Sequence, residues 1–195
     1  MRTLAAIVLA AGASSRMGQH KLLLPLGGES LVRRTVRQVV EASFEPVVVL
    51  GRDPKLVQQQ VEDLGCRFVY NPDYLKGIGS SFRVGLSLLD DSIEATLITL
   101  ADMPLVSVEM YRQMLTAYQQ TRPLIVSSLY GEVRAPPHIF RHELFEVLGT
   151  PGNGAVPLVE RYLDQAVILS WPSESLFDID EPTDYERARQ IIAEQ

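Results

Sequence analysis

With 195 residues the chain is long enough for one domain with a sizeable core, and 1–195 is read as a single domain. A hydrophobic content of 46%, a charged content of 22% and a net charge of −6 describe an ordinary soluble balance and exclude the basic face of a general nucleic-acid binder. No apolar run approaches the roughly 20 residues that span a bilayer, and the single Cys66 allows no internal disulfide, which fits a reducing cytoplasm.

The apolar run Leu4 to Ala10 reads as a fully buried strand. Its start superficially resembles a signal peptide, but it carries one charged residue and feeds directly into a bend of small residues. Leu22 to Leu26 is apolar and ends at Gly27-Gly28, and Ser30 is the expected N-cap of a helix bearing Val32, Val36, Val39 and Val40. Pro46 to Leu50 is a second buried strand. Asp53-Pro54 then opens a helix with Leu56, Val57, Val61 and Leu64 on its apolar stripe. Arg67 to Tyr70 is a short third strand. The Gly-rich segment Asn71 to Ser81 precedes a helix expected over Phe82 to Leu89.

Ala95 to Leu100 is the fourth strand, followed by Ala101-Asp102-Met103-Pro104 and a helix capped by Ser107. Leu124 to Leu129 is the fifth strand. Ala135 to Phe140 is the sixth, placed at an edge or at its entry by Pro136 and Pro137. A short helix over Glu143 to Leu148, a loop at Gly149 to Gly154, a helix through Tyr162 and a strand at Val167 to Leu169 follow. Thr183 and Glu186 fit a capping box for the last helix. The alternation argues for a three-layer α/β/α sandwich with a mostly parallel, Rossmann-like sheet, its strand C-termini together on the ligand-binding side.

The stretch Leu9 to Lys21 carries the strongest chemical signal. Gly12 and Gly18 enclose small residues whose backbone N–H groups can form an anion-binding concavity, with Arg16 and Lys21 adding positive charge beside it. It is not a P-loop, because counting from Gly12 the Gly-Lys-Ser/Thr positions hold Met17, Gly18 and Gln19. Nor is it a dinucleotide fingerprint, where Ser14 and Met17 stand in place of glycines. A Gly-containing turn without a ligand is the bland account.

Leu-Ala-Ala-Gly, two residues, Ser-Arg-Met-Gly, two residues, Lys resembles the signature of the MobA-like nucleotidyltransferases, within them most closely the molybdenum cofactor cytidylyltransferase branch. Later stretches match too, so the resemblance covers nearly the whole chain. An Asp at a strand end, taken alone, is more often a cap or turn residue, and a cap is the plain account of Asp180 before Pro182. Alternation puts Asp178 and Asp180 on one side, away from Ile179. The resemblance implies more: Asp102 in Ala-Asp-Met-Pro and Asp180 in Asp-Ile-Asp-Glu-Pro match the family's Mg²⁺ ligands, and Mg²⁺ suits such oxygen donors.

The chemistry this resemblance implies is attack of an acceptor phosphate on the α-phosphorus of a nucleoside triphosphate, releasing pyrophosphate. The attacking oxygen is already anionic, so catalysis reduces to positioning and charge neutralisation, with Arg16, Lys21, Asp102 and Asp180 as its residues. By the same resemblance Ala10, Ala11 and Gly12 face the nucleobase, and Gly18 and Lys21 face the phosphates. Gly77, Gly79, Ser80 and Ser81 belong to the base-recognition loop, whose plain account is a Gly-rich loop with a Ser cap. The second Ala of Leu-Ala-Ala-Gly is more like cytidylyltransferases than guanylyltransferases and favours CTP.

The implied acceptor is of molybdopterin type. Two departures bear on it: Ala135 stands where relatives often have Gly, and Pro151 to Val156 lacks the Asp and Arg of the relatives' Gly-Asp-x-Gly-Ala-Arg. Two other readings therefore stay open, a sugar- or alcohol-phosphate acceptor and a nucleotide-binding protein that matures a molybdoenzyme without turnover. His138 and His142 make no zinc-protease motif and are expected to pack or face solvent, and Trp171 is expected to act as a hydrophobic plug.

Overall fold

The first apolar run forms β1 (Thr3–Ala10), which lies inside a seven-stranded sheet of order β5-β4-β1-β6-β8-β7-β9. The computed structural model describes residues 3–12, 14, 17–150 and 154–194. Its other strands are the short hairpin pair β2 (Pro25–Leu26) and β3 (Glu29–Ser30), then β4 (Glu45–Leu50), β5 (Arg67–Tyr70), β6 (Ile93–Leu100), β7 (Ile125–Tyr130), β8 (Val133–Arg141) and β9 (Ala166–Trp171). The helices are α1 (Leu31–Glu41), α2 (Pro54–Gln59), α3 (Ile78–Leu86), α4 (Val108–Thr121), α5 (Phe145–Gly149), α6 (Ala155–Arg161) and α7 (Pro182–Ala193). In the large sheet β8 alone runs against the other strands.

Both faces of the sheet are covered, which is why β1 reads as an unbroken apolar run rather than an alternating one. Ala6, Val8 and Ala10 face a core filled by Val32, Val36 and Val39 of α1, Met110, Tyr111 and Met114 of α4, and Ala188 of α7. Ala5, Ile7 and Leu9 face the opposite core, filled by Phe82 and Leu86 of α3, Phe145 and Leu148 of α5, and Leu158 and Val159 of α6. The three-layer α/β/α architecture is as the sequence predicts.

Several local expectations are corrected. The helix expected from Phe82 begins at Ile78, because Gly77, at φ +103°, turns the chain into it earlier. Gly79, Ser80 and Ser81 therefore sit in its first turn. Strand β8 is interior, not at an edge. Its prolines are tolerated because pairing with β6 begins only at His138 and the register with β7 shifts between Ser127 and Leu129. Side-chain hydroxyls serve the carbonyls there, Ser128 donating to Pro137 O at 2.8 Å and Tyr130 to Pro136 O at 2.9 Å.

Ser30 and Asp53 do stand at N-caps, but neither side chain makes a capping bond, and Leu56 is exposed while Val57 and Val61 are buried. The capping box of α7 is Glu181 with Asp184, not Thr183 with Glu186. Pro182 supplies the first helical residue, so the helix starts earlier. Ser107 caps α4 as expected, accepting from Met110 N. The half-buried Cys66 thiol is pushed up to about 11 by burial and by Asp63, which keeps it protonated and unreactive.

His138 is fully buried, with its Nδ1 3.0 Å from Ser127 Oγ. Burial, reinforced by Arg134, pushes its pKa down from 6.5 to about 3, so the native ring is neutral. An unfolded ring binds a proton below about pH 6.5, so this burial contributes stability above that pH that is lost as pH falls toward 3. Urea titrations from about pH 7 to about pH 4 are expected to show the loss, and His138→Gln to flatten it. Equal pH slopes for the two proteins would exclude the effect.

Candidate active site

The chain builds outward from β1 through β4 to β5, then returns to lay β6 on the other flank of β1. The order of strands thus reverses between β1 and β6, where open α/β sheets bind ligands at their C-terminal ends. Two segments leave the sheet at that point: the small-residue bend after Ala10 and Ala101-Asp102 after Leu100. Ala101 N donates to Leu9 O at 3.1 Å, extending the ladder and fixing the position from which Asp102 projects.

The bend is held from within. Ser14 adopts φ +51°, its carbonyl accepts from Met17 N at 3.3 Å, and its hydroxyl oxygen accepts from Lys21 N at 3.4 Å. Gly18, at φ +67°, takes a conformation that a side chain would strain. His20 is buried, its Nε2 3.1 Å from Arg52 O, which ties the bend to the loop after β4. Gly51 on that loop leaves no room for a side chain: a Cβ there would lie 2.6 Å from Ala11 O. Gly51→Ala is expected to destabilise the fold by about 1–3 kcal/mol and to displace Ala11. Thermal unfolding checks this, and an unchanged midpoint would refute it.

The acidic groups meet here. Lys21 Nζ lies 2.6 Å from Asp102 Oδ2, 3.0 Å from Asp180 Oδ1 and 2.7 Å from Ile179 O. Ile179 N donates to Asp102 O at 3.1 Å, so a backbone bond joins the two motifs directly. Ile179 is fully buried and anchors the segment, while Asp184 Oδ2 accepts from the N–H groups of Asp180 and Glu181 at 3.0 and 2.8 Å. The cap of α7 thereby sets the backbone at Asp180. Burial alone pulls the Lys21 pKa down, but Asp102 and then Asp180 more than offset it, leaving the ammonium charged with a pKa above 10.5. Asp178 is exposed as a residue, yet burial of its carboxyl, with the charges of Asp102 and Asp180, raises its pKa from 3.8 to about 6.

Two carboxylates that share one ammonium present oxygen donors to a single point of positive charge, the donor type Mg²⁺ takes. Among the described residues there is no cluster of three or more acidic, histidine or cysteine side chains able to hold a metal. A hard cation held by Asp102 and Asp180 would complete its shell with water and substrate phosphate.

Beside this cluster lies a cavity of about 200 Å³ lined by Leu9, Ala11, Gly12, Tyr74, Gly77, Ile78, Ser81, Leu100 and Asp102. Gly12 has open space where a side chain would point. Of the base-loop candidates, Gly77 and Ser81 line the cavity. Ser80 does not: it is buried and bonded to Gly77 O and Asp73 O, and so holds the loop. Gly79 and Gly18 are also absent from the lining, and the Ala10 side chain lies in the core across the sheet. Arg16 and the Pro151 to Asn153 part of the altered loop lie outside the described residues. Asn71, fully buried, and Tyr74, Ile78 and Leu100 were not singled out by sequence. Asn71 precedes Pro72 and reads as a turn former, and no spacing reveals its burial.

A sheet that reverses at a small-residue bend, with paired carboxylates and a cavity at the reversal, is the nucleotide-diphospho-sugar transferase type of nucleotide-binding α/β enzyme. Rv0371c from Mycobacterium tuberculosis H37Rv shares this fold, with a TM-score of 0.85 and 24% identity over 97% of this chain and 100% of that one. The chain belongs to the MobA-like NTP transferase domain family, which matches residues 6–166, and with it to the nucleotidyltransferases. It is 26% identical over 114 residues to the molybdenum cofactor cytidylyltransferase of Escherichia coli K12, a match spanning 58% of each chain. It is 28% identical over 202 residues to a probable molybdenum cofactor guanylyltransferase of Pelotomaculum thermopropionicum, covering 96% of this chain and 92% of that one.

Proposed function

We propose that the protein transfers a nucleotidyl group from CTP to a phosphorylated acceptor of molybdopterin type, with Mg²⁺ held by Asp102 and Asp180. The convergence of those two carboxylates on one cationic centre, beside the cavity at the reversal of strand order, carries this reading. When bound, Mg²⁺ supplies charge neutralisation and polarisation of phosphate oxygens. Lys21, the one cation placed at the cluster among the described residues, is positioned to neutralise phosphate charge, with Arg16 in the same role by family resemblance. By family resemblance the bend from Gly12 would offer backbone N–H groups to the phosphates, and Ala11 and Gly12 line the cavity assigned here to the base.

The acceptor's own phosphate oxygen is the nucleophile, so no protein nucleophile or general base is required. Held in line with the departing pyrophosphate, it reacts by positioning and electrostatics alone. The Leu-Ala-Ala-Gly sequence and the cytidylyltransferase relative support CTP.

Incubation with Mg²⁺, each nucleoside triphosphate and a panel of acceptors, read as pyrophosphate release, tests the proposal. CTP-selective release with molybdopterin is the expected result. Release with sugar or alcohol phosphates alone would replace the acceptor, a second reading favoured by the missing Asp and Arg between Pro151 and Val156. Nucleotide binding without release from any combination would overturn turnover and leave a maturation role for a molybdoenzyme.

A further inference from the structure

We infer that Asn71 is a positioning residue for the nucleobase: it fixes the Ser81 hydroxyl as a hydrogen-bond donor into the cavity. The ligand edge seated there must then carry an acceptor. This rests on the nucleotide-binding reading of the cavity and deepens it.

The polarity follows from one fixed donor. Asn71 is fully buried, and its backbone N–H donates to Leu50 O at 2.8 Å, next to the β4–β5 pairing. Its Oδ1 accepts from the backbone N–H of Asp73 at 2.9 Å. A backbone N–H can only donate, so the oxygen of the amide must face it and the NH₂ group must face the other way. That NH₂ group lies 2.9 Å from Ser80 Oγ and 2.9 Å from Ser81 Oγ, so both serines accept.

The two hydroxyls then differ. Ser80 passes its proton to Gly77 O at 2.8 Å or Asp73 O at 3.0 Å, a closed local network. Ser81 lines the cavity, and among the described residues its hydroxyl proton has no protein acceptor. The free proton is available to whatever fills the cavity. Much of the wall around it is apolar, from Leu9, Ala11, Ile78 and Leu100, so a mismatched polar contact there goes uncompensated. Cytosine, with ring N3 and carbonyl O2 as acceptors, satisfies the hydroxyl, whereas an edge offering N–H at that point leaves two donors opposed.

Asn71→Asp reverses the polarity with almost no change in shape. The carboxylate still accepts from Asp73 N, but it now also accepts from both serines, so Ser81 offers only lone pairs to the cavity. CTP binding without divalent ion, measured by calorimetry on the full chain, reads the effect free of turnover. Asn71→Asp is expected to weaken binding about 10-fold more in the Ser81 background than in a Ser81→Ala background. Ser81→Ala alone, with Asn71 kept, is expected to weaken it about 10-fold. A residue that only braced the loop would lose the same factor in both backgrounds. Equal losses, no loss, or unchanged affinity in Ser81→Ala would each overturn the inference while leaving a nucleotide site. Absence of CTP binding to the unmodified protein would overturn the nucleotide reading and this inference with it.

Discussion

Replacing Asp102 by asparagine is expected to lower turnover by about 10³-fold or more while the protein stays folded. Asparagine keeps the shape of the side chain, and its Oδ1 can still accept from Lys21 Nζ, now 2.6 Å from Asp102 Oδ2. What is lost is one of two negative charges at the point where the acidic motifs meet. The divalent cation proposed there would depend on that charge, whereas the backbone bond from Ile179 N to Asp102 O does not. Pyrophosphate release should therefore collapse while thermal unfolding moves little. Turnover close to that of the unmodified protein would remove Asp102 from the mechanism.

Lys21→Met is expected to lower stability by about 2 kcal/mol in the absence of divalent ions. The ammonium is buried, with its side chain 8% exposed, and its removal takes from Asp102 and Asp180 the cation that they share. Loss of a buried partner costs more than this, but Asp180 is 43% exposed and water screens part of the repulsion. Millimolar Mg²⁺ should restore stability to the variant more than to the unmodified protein, because an ion bound only by the folded state stabilises it. Urea unfolding with and without MgCl₂ checks both points, and an equal response of the two proteins to the ion would refute the second.

The sign of the pH effect follows from the raised lysine pKa. The ion cluster contributes its full stability below pH 10.5 and loses it as pH rises through the folded-state value above that. Between about pH 7, above the raised Asp178 value of about 6, and about pH 10 the lysine effect should therefore be independent of pH.

Much of the fold is legible in the sequence because its signals are local. The apolar runs of β1, β4 and β6 are buried on both faces and need no partner to be recognised. The bend at Gly12 is marked by its small residues and the two cations beside it, whereas the Asp after β6 is set apart from a cap or turn residue only by the family resemblance. The rest depends on contacts between distant segments. Asp180 is 159 positions from Lys21, and nothing in either motif says that one ammonium will hold both carboxylates. The resemblance to a family pairs the two acids, but it reserves Lys21 for phosphate and does not show it bridging them.

The interior place of β8 is hidden for a related reason. Pro136 and Pro137 look like edge residues until the register shift opposite them removes the need for their N–H groups. The α7 cap is ambiguous in sequence because Thr183 and Glu186 fit the pattern, while Glu181 and Asp184, on either side of Pro182, fit it with the fixed φ of proline as well. Asn71 is the clearest omission. Its role lies in which atoms of a buried amide face which partners, and a sequence carries no trace of that.

The backbone bond between Ile179 and Asp102 has a consequence for biosynthesis. In the order of synthesis β1, β4, β6 and the residues that line the cavity are all made well before residue 180. Until then Asp180, the second acid at the ammonium of Lys21, is missing. Activity should therefore switch on late, as the segment leading into α7 docks, so that partly made polypeptides do not consume nucleotide.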